Sequence, residues 1–284
     1  FKLGPLYPGP FHLASLLSAA DGVLKAASLH NTPVPNGADP IAWERWLRFR
    51  ADKFPFVWPN HRKAIAEDFH QTGVSAVVVL PTGAGKTTVS SLKIAGVLAR
   101  GKKVAFLAPT HALVDQLTED LREMFPSEIM ESVISSDFDL LLAGDASFHD
   151  IEVMTPERCL AMLSFAPEAF SDVGLLVFDE CHLLSPQSGK IRRALDAMLC
   201  VLAFAEAAPG ADLLFLSAMV RNGTEVADWI GALTKRRSVA VDLLWKPSRQ
   251  ARGVVIYDET ELTAATARAW EQQKAADAVA PKPA

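Results

Sequence analysis

Short apolar runs alternate along this chain with longer stretches in which apolar residues return every three or four positions. The runs are Ala76–Leu80, Val104–Ala108, Ile151–Met154, Leu175–Phe178 and Leu213–Leu216. Runs of this length with no polar alternation predict strands buried on both faces. Between them, the helical spacing predicts helices over 86–100, 111–125 and 190–207, the second with Leu113, Leu117 and Leu121 in register. Pro156 behind Thr155 predicts another helix start, because proline suits the first turn and threonine the cap. Residues 129–135 are a weaker strand candidate. Strands alternating with helices of this length predict an α/β fold, a mostly parallel sheet with helices on both faces.

The flanks read differently. Residues 1–55 form an N-terminal extension: an apolar helical pattern over 13–29 interrupted at Asp21-Gly22, then a loop over 31–40 dense in Pro, Gly and Asn. Residues 41–50 follow as a short helix carrying Trp43, Trp46 and Leu47 on one face. With Arg45, Arg48 and Arg50 nearby, that face suits nucleic acid, or its tryptophans pack on the main domain, the reading the pattern favours. Pro59-Asn60 opens a helix with Ile65 and Phe69 inward. Residues 259–276 read as a helix, followed by an Ala/Pro-rich tail.

The most specific chemistry lies where the first run ends. The loop Pro81-Thr82-Gly83-Ala84-Gly85 leads into a helix opening with Lys86, Thr87 and Thr88. Glycines at such a junction let successive N–H groups turn toward one anion, at the positive end of the helix dipole. Lys86 can then reach the β- and γ-phosphates of a nucleotide, and the Thr87 hydroxyl can hold Mg2+. A second buried strand ends in Asp179-Glu180. Asp179 can orient the metal and Glu180 can polarise an attacking water; phosphoryl transfer needs positioning and charge neutralisation above all. The catalytic candidates are therefore Lys86, Asp179 and Glu180. The candidate metal-holding pair is Thr87 and Asp179, and the implied cofactors are ATP and Mg2+.

Bulk properties narrow the classes. The chain has 284 residues, half of them apolar, enough for a motor-sized domain of about 200 residues plus additions. A net charge of −5 means that any hold on nucleic acid comes from local groups and not from bulk attraction. Three cysteines, Cys159, Cys181 and Cys200, stand far apart with no metal-ligand spacing, which points to a reducing, cytoplasmic setting. No apolar run approaches the ~20 residues a membrane helix needs, so no membrane partner is expected.

Taken in order, PTGAGKT at 81–87, APTHALVDQ at 108–116, TPER at 155–158, DECH at 179–182 and SAM at 217–219 resemble motifs I, Ia, Ib, II and III of a superfamily-two helicase. The match is to the first RecA-like domain of the DExH branch, a P-loop NTPase fold, over about 56–258. The resemblance implies that His182 and Ser217 couple the nucleotide site to the nucleic-acid site. It implies a single-stranded or duplex nucleic-acid partner, and a second RecA-like domain beyond 259–284 in the parent chain. The residues agree: Thr110 and Thr155 stand at helix starts, where free N–H groups and a hydroxyl suit the phosphates of a strand. WKPSRQARGVVIYD at 245–258 is similar to the stretch leading toward that second domain.

Four positions depart from the pattern. Leu80 stands where the general phosphate-loop pattern has glycine. His61 takes the place of the family's adenine-reading glutamine; a histidine can still hydrogen-bond a base edge. His111 replaces a common arginine, and Met219 replaces a threonine. The expected function is a DExH-type, ATP-hydrolysing motor that translocates on or unwinds nucleic acid, with the 284-residue piece alone expected to turn over slowly or not at all. Two alternatives stay open: a double-strand translocase or remodeller of a restriction or phage-defence system, and a non-hydrolysing ATP-gated scaffold.

Overall fold

The structure, a computed structural model, describes residues 8–81, 83–130, 133–135, 148–184, 191–218, 220, 222–242 and 258–279. Residues 1–247 form one compact unit and 248–284 a second.

The first unit is built on a seven-stranded, all-parallel sheet. Its strands are β1 (Ser75–Val79), β2 (Lys103–Leu107), β3 (Ile134–Ser135), β4 (Ile151–Met154), β5 (Val173–Phe178), β6 (Asp212–Ser217) and β7 (Ser238–Asp242), in the order β3-β4-β2-β5-β6-β1-β7. The helices are α1 (Pro8–Ala26), α2 (Pro40–Lys53), α3 (Pro59–Ala66), α4 (Lys86–Leu98), α5 (His111–Met124), α6 (Ser127–Met130), α7 (Pro156–Phe165), α8 (Ile191–Ala207) and α9 (Gly223–Thr234).

Strand alternation divides the core into two clusters, one for each face of the sheet. Ala76 and Val78 of β1, with Val104, Phe106, Leu175 and Val177, join one cluster, to which α2, α4 and α5 also contribute. Val77 and Val79, with Ala105, Leu107, Leu176 and Phe178, join the other, beside residues of α7, α8 and α9. Every residue of β1 is buried, as a strand covered on both faces requires.

Helix α2 is fastened to this body by its tryptophans. Asp39 caps its start, accepting from the N–H groups of Ile41 and Ala42 at 3.1 and 3.3 Å. Trp43 and Trp46 are each 1% exposed. The Trp46 indole stacks on Phe125 at 5.6 Å and donates to the Met124 carbonyl at 3.0 Å. Of the two readings of this helix, packing on the main domain is the one observed.

Three details differ from the periodicity. Helix α1 continues through Asp21-Gly22 without a break; an exposed helix tolerates one glycine at a cost near 1 kcal/mol. The stretch 129–135 divides between the end of α6 and the two-residue strand β3. Helix α9 and edge strand β7 were not expected as elements; β7 pairs with β1 from Ser75↔Ser238 to Val79↔Asp242. The stretch 245–258 lies outside the described residues apart from Asp258.

In the second unit, the described part is a helix, α10 (Glu259–Val279). Asp258 caps it, its Oδ1 accepting from the Thr260 and Glu261 N–H groups at 2.8 and 3.3 Å. The Thr260 hydroxyl, which also donates to Oδ1, and these N–H bonds hold the Asp258 carboxyl below its ordinary pKa.

Candidate nucleotide and nucleic-acid site

Strand order brings the chemistry together. β5, β6 and β1 are consecutive neighbours in the sheet. Their carboxyl ends carry Asp179-Glu180, Ser217 and the loop that opens α4. On the other side of β5 lie β2 and then β4, whose ends carry Thr110 and Thr155. One edge of the sheet thus carries the phosphate-loop and Asp179-Glu180 residues beside the helix starts of Thr110 and Thr155, where ligands of parallel sheets bind.

The loop has the conformation its glycines predict. Gly83 and Gly85 have φ of +78° and +87°, and Gly85 is the N-cap of α4. Close packing adds a second requirement at Gly85: a Cβ there would sit 2.3 Å from His61 Nε2. From beneath, Asn60 Nδ2 donates to the Ala84 carbonyl at 2.7 Å. His61 is 2% exposed. Its ring stacks on Trp58 at 5.3 Å and 16°, and its Nδ1 accepts from the Trp58 N–H at 3.4 Å. Nε2 then carries the ring proton and faces the Ala84–Gly85 backbone. Burial pushes the His61 pKa down, against the opposing effect of the Ala84 and Gly85 backbone. His61 therefore underlies the loop in this structure. Asn60 is a site residue that sequence reasoning missed; it was read only as part of a helix start. Its position beside His61, between proline and the loop, was the available signal.

The charged groups form a chain across the three strands. Lys86 Nζ lies 2.8 Å from Glu180 Oε1. Glu180 Oε2 lies 3.2 Å from His182 Nδ1, and that nitrogen is 3.4 Å from Ser217 Oγ. Ser217 is wholly buried at the end of β6. Glu180 adopts φ of +52°, unusual for a residue with a side chain. The Asp179 carboxylate accepts from the Glu180 N–H at 2.9 Å, which supports that turn. Burial raises the Asp179 pKa, opposed by the nearby Lys86 charge and assisted by Glu180. The neighbouring Cys181 thiol, also desolvated, is pushed up to about 12 and is not a thiolate at neutral pH.

These residues fit a magnesium nucleotide. A half-buried carboxylate with a raised pKa gains from a cation beside it. The Thr87 hydroxyl and Asp179 are hard oxygen donors, and Thr87 is exposed at the first turn of α4. Among the described residues no group of three or more His, Cys, Asp or Glu could hold a metal. Magnesium needs none, since it takes one or two protein oxygens and completes its shell with water and phosphate. Pro81 and Thr88 are half-buried at the two ends of the loop; Thr82 lies outside the described residues, as does Met219.

On the other half, Thr110 caps α5, accepting from the Leu113 N–H at 3.3 Å, and is exposed. Thr155 caps α7, accepting from the Arg158 N–H at 3.4 Å, but is only 5% exposed. The α7 start has little free N–H to offer: Pro156 has none, the Arg158 N–H goes to Thr155, and the Glu157 N–H meets its own carboxylate. His111 is exposed in the first turn of α5.

Comparison with known proteins gives the same picture. A family profile described as DEAD/DEAH box helicase matches residues 58–226. The RQC trigger complex helicase SLH1 of Saccharomyces cerevisiae is 30% identical over 190 residues, which cover 63% of this chain and 9% of that one. The ATP-dependent DNA helicase Hel308 of Thermoplasma acidophilum is 27% identical over 195 residues, 68% of this chain and 28% of that one. The chain thus spans well under a third of these relatives. The structure of Mycobacterium smegmatis helicase Lhr bound to ssDNA and AMP-PNP is alike in fold, with a TM-score of 0.57 and 21% identity over 70% of this chain and 27% of that one. Its neighbours in fold are helicase RecA-like domains, and the match spans the loop before α4, the carboxylates after β5 and Ser217 alike: the chain belongs to the DEAD/DEAH box helicase family.

Proposed function

We propose that residues 56–258 are the ATP-binding motor domain of a nucleic-acid-dependent ATPase of the DExH type, preceded by a helical extension, 1–55, and followed by a connector, 259–284, to a second RecA-like domain. The observation that carries this reading is the Lys86–Glu180–His182–Ser217 chain across three neighbouring strands. It joins the phosphate loop to the buried end of β6 through the residue placed to act as base.

In this reading the loop amides from Gly83 to Thr87 cradle the phosphates and Lys86 supplies a positive charge. Thr87 and Asp179 hold Mg2+, which neutralises phosphate charge when bound. Glu180 orients and deprotonates the attacking water once Lys86 has turned from it to phosphate. His182 shares Nδ1 between Glu180 and Ser217, so a change at the base is felt at the end of β6. Asn60 and His61 hold the loop from below, and His61 meets the adenine edge if its ring turns outward. Thr110 and the α7 start behind Thr155 grip strand phosphates without reading bases, which suits a motor working on any sequence.

The test is steady-state ATP hydrolysis with and without single-stranded DNA or RNA, beside Glu180→Gln. Stimulation by one polymer, abolished in the variant, is the expected result and names the track. Tight ATP binding with no turnover on any polymer, in the chain together with its second motor domain, would leave the ATP-gated scaffold in place of the motor.

A further inference from the structure

Arg193, in the first turn of α8, belongs to none of the helicase motifs, yet it joins two of them. Its Nη2 donates to the Pro109 carbonyl at 2.6 Å, and its Nε donates to Glu157 Oε1 at 3.0 Å. Pro109 is the turn between β2 and the Thr110 cap of α5. Glu157 lies in the first turn of α7, two residues past the Thr155 cap. A single guanidinium thus spans the two helix starts proposed to grip the strand. Desolvation raises the Glu157 pKa, but hydrogen bonds from its own backbone N–H, from Arg193 and from the Thr155 side chain outweigh it and hold the pKa below the ordinary value.

We propose that Arg193 is a positioning residue for nucleic-acid binding: it braces the β2–α5 turn against the α7 start, so that the two helix starts meet one phosphate backbone as a fixed pair. This rests on the strand-binding reading above. Three observations carry it. The two contacts use different nitrogens of one planar group, a rigid fork whose fixed directions a single lysine nitrogen does not supply. The pair is substantially exposed, with side-chain exposures of 43% and 38%; exposed ion pairs contribute little to stability, about 0–1 kcal/mol, so the contact is better placed to set geometry than to hold the fold. And Glu157 puts a negative charge in the first turn of α7, which would repel a phosphate there; Arg193 offsets it.

The experiment compares Arg193→Ala and Arg193→Lys with the unaltered chain for binding of a labelled single-stranded oligonucleotide over a salt series, alongside affinity for a fluorescent ATP analogue. Both variants are expected to lose roughly three- to thirtyfold in strand affinity, with nucleotide affinity unchanged. The salt slope should also stay unchanged, because Arg193 does not itself neutralise a phosphate. Full strand affinity in both variants overturns the brace. So does full rescue by lysine, or a slope that falls by about one, the mark of a direct phosphate contact. If the unaltered chain binds no strand, it is the strand-binding reading that fails, and the brace with it.

Discussion

Lys86 and Glu180, 94 positions apart in sequence, pair at 2.8 Å across the mouth of the site. The lysine that would neutralise phosphate is held by the carboxylate that would activate water. Each occupies the other, and the pair must part for either to act. In the proposed mechanism Glu180 is freed as base only when Lys86 moves to phosphate.

That pairing separates the two roles experimentally. Glu180→Gln should keep nucleotide affinity within a few-fold, because a glutamine can still accept from Lys86, while turnover falls by roughly a hundredfold or more. Lys86→Ala should weaken nucleotide binding itself. Equilibrium binding of an ATP analogue beside steady-state hydrolysis reads both; equal losses of binding in the two variants would contradict the division.

Gly85 carries two constraints, a φ of +87° and the His61 ring 2.3 Å from any added Cβ. Gly85→Ala should cost about 1–2 kcal/mol through the backbone alone and more through the clash, and should abolish tight nucleotide binding. Adding His61→Ala should restore part of the lost melting temperature, though not all, because the left-handed conformation remains. Complete restoration would show that the clash was the only constraint.

His70 makes stability depend on pH. It is 1% exposed, and burial, reinforced by the Lys93 charge, lowers its pKa from 6.5 to about 4. The unfolded chain takes up this proton near pH 6.5 while the folded chain refuses it until about pH 4. Across that window the unfolded state binds more protons, so stability is complete above 6.5 and declines as pH falls, by about 3 kcal/mol at most. His61, also lowered, acts in the same direction. Denaturant melts between pH 7 and 4.5 should lose this slope in part in His70→Gln.

The far end of the sheet depends on a buried ion pair. Lys93 is wholly buried, its Nζ 3.0 Å from Asp212 Oδ2 and bonded to the Gln71 and Val74 carbonyls. Asp212 also meets Arg236 at 2.9 Å and the Gly73 N–H at 2.9 Å. Asp212→Ala leaves the ammonium buried against carbonyls and should cost about 3–5 kcal/mol. Lys93→Met should cost less, since Arg236 still answers Asp212. Thermal melts of the two variants check the order.

Much of this protein could be read locally. The strands β1, β2, β4, β5 and β6 were visible because a strand covered on both faces must be apolar throughout, and the loop before α4 because a phosphate cradle is built from consecutive residues. Asp179 and Glu180 were visible because they end such a strand. Edge strand β7, half-buried over Ser238–Ala240, lacks that continuous pattern, and α9 precedes it without a charged motif to mark it.

What the tertiary structure alone decided is adjacency. Hydrophobic periodicity says that a segment is a strand but not which strand lies beside it, since pairing is made between distant segments and ordered by crossovers. The order β5-β6-β1 is what brings Lys86, Glu180, His182 and Ser217 into one chain. In the same way, the inward turn of His61, the hold of Asn60 on Ala84 and the span of Arg193 from Pro109 to Glu157 join residues that no sequence spacing relates. Local composition determined the parts and their chemistry; non-local packing determined which parts touch.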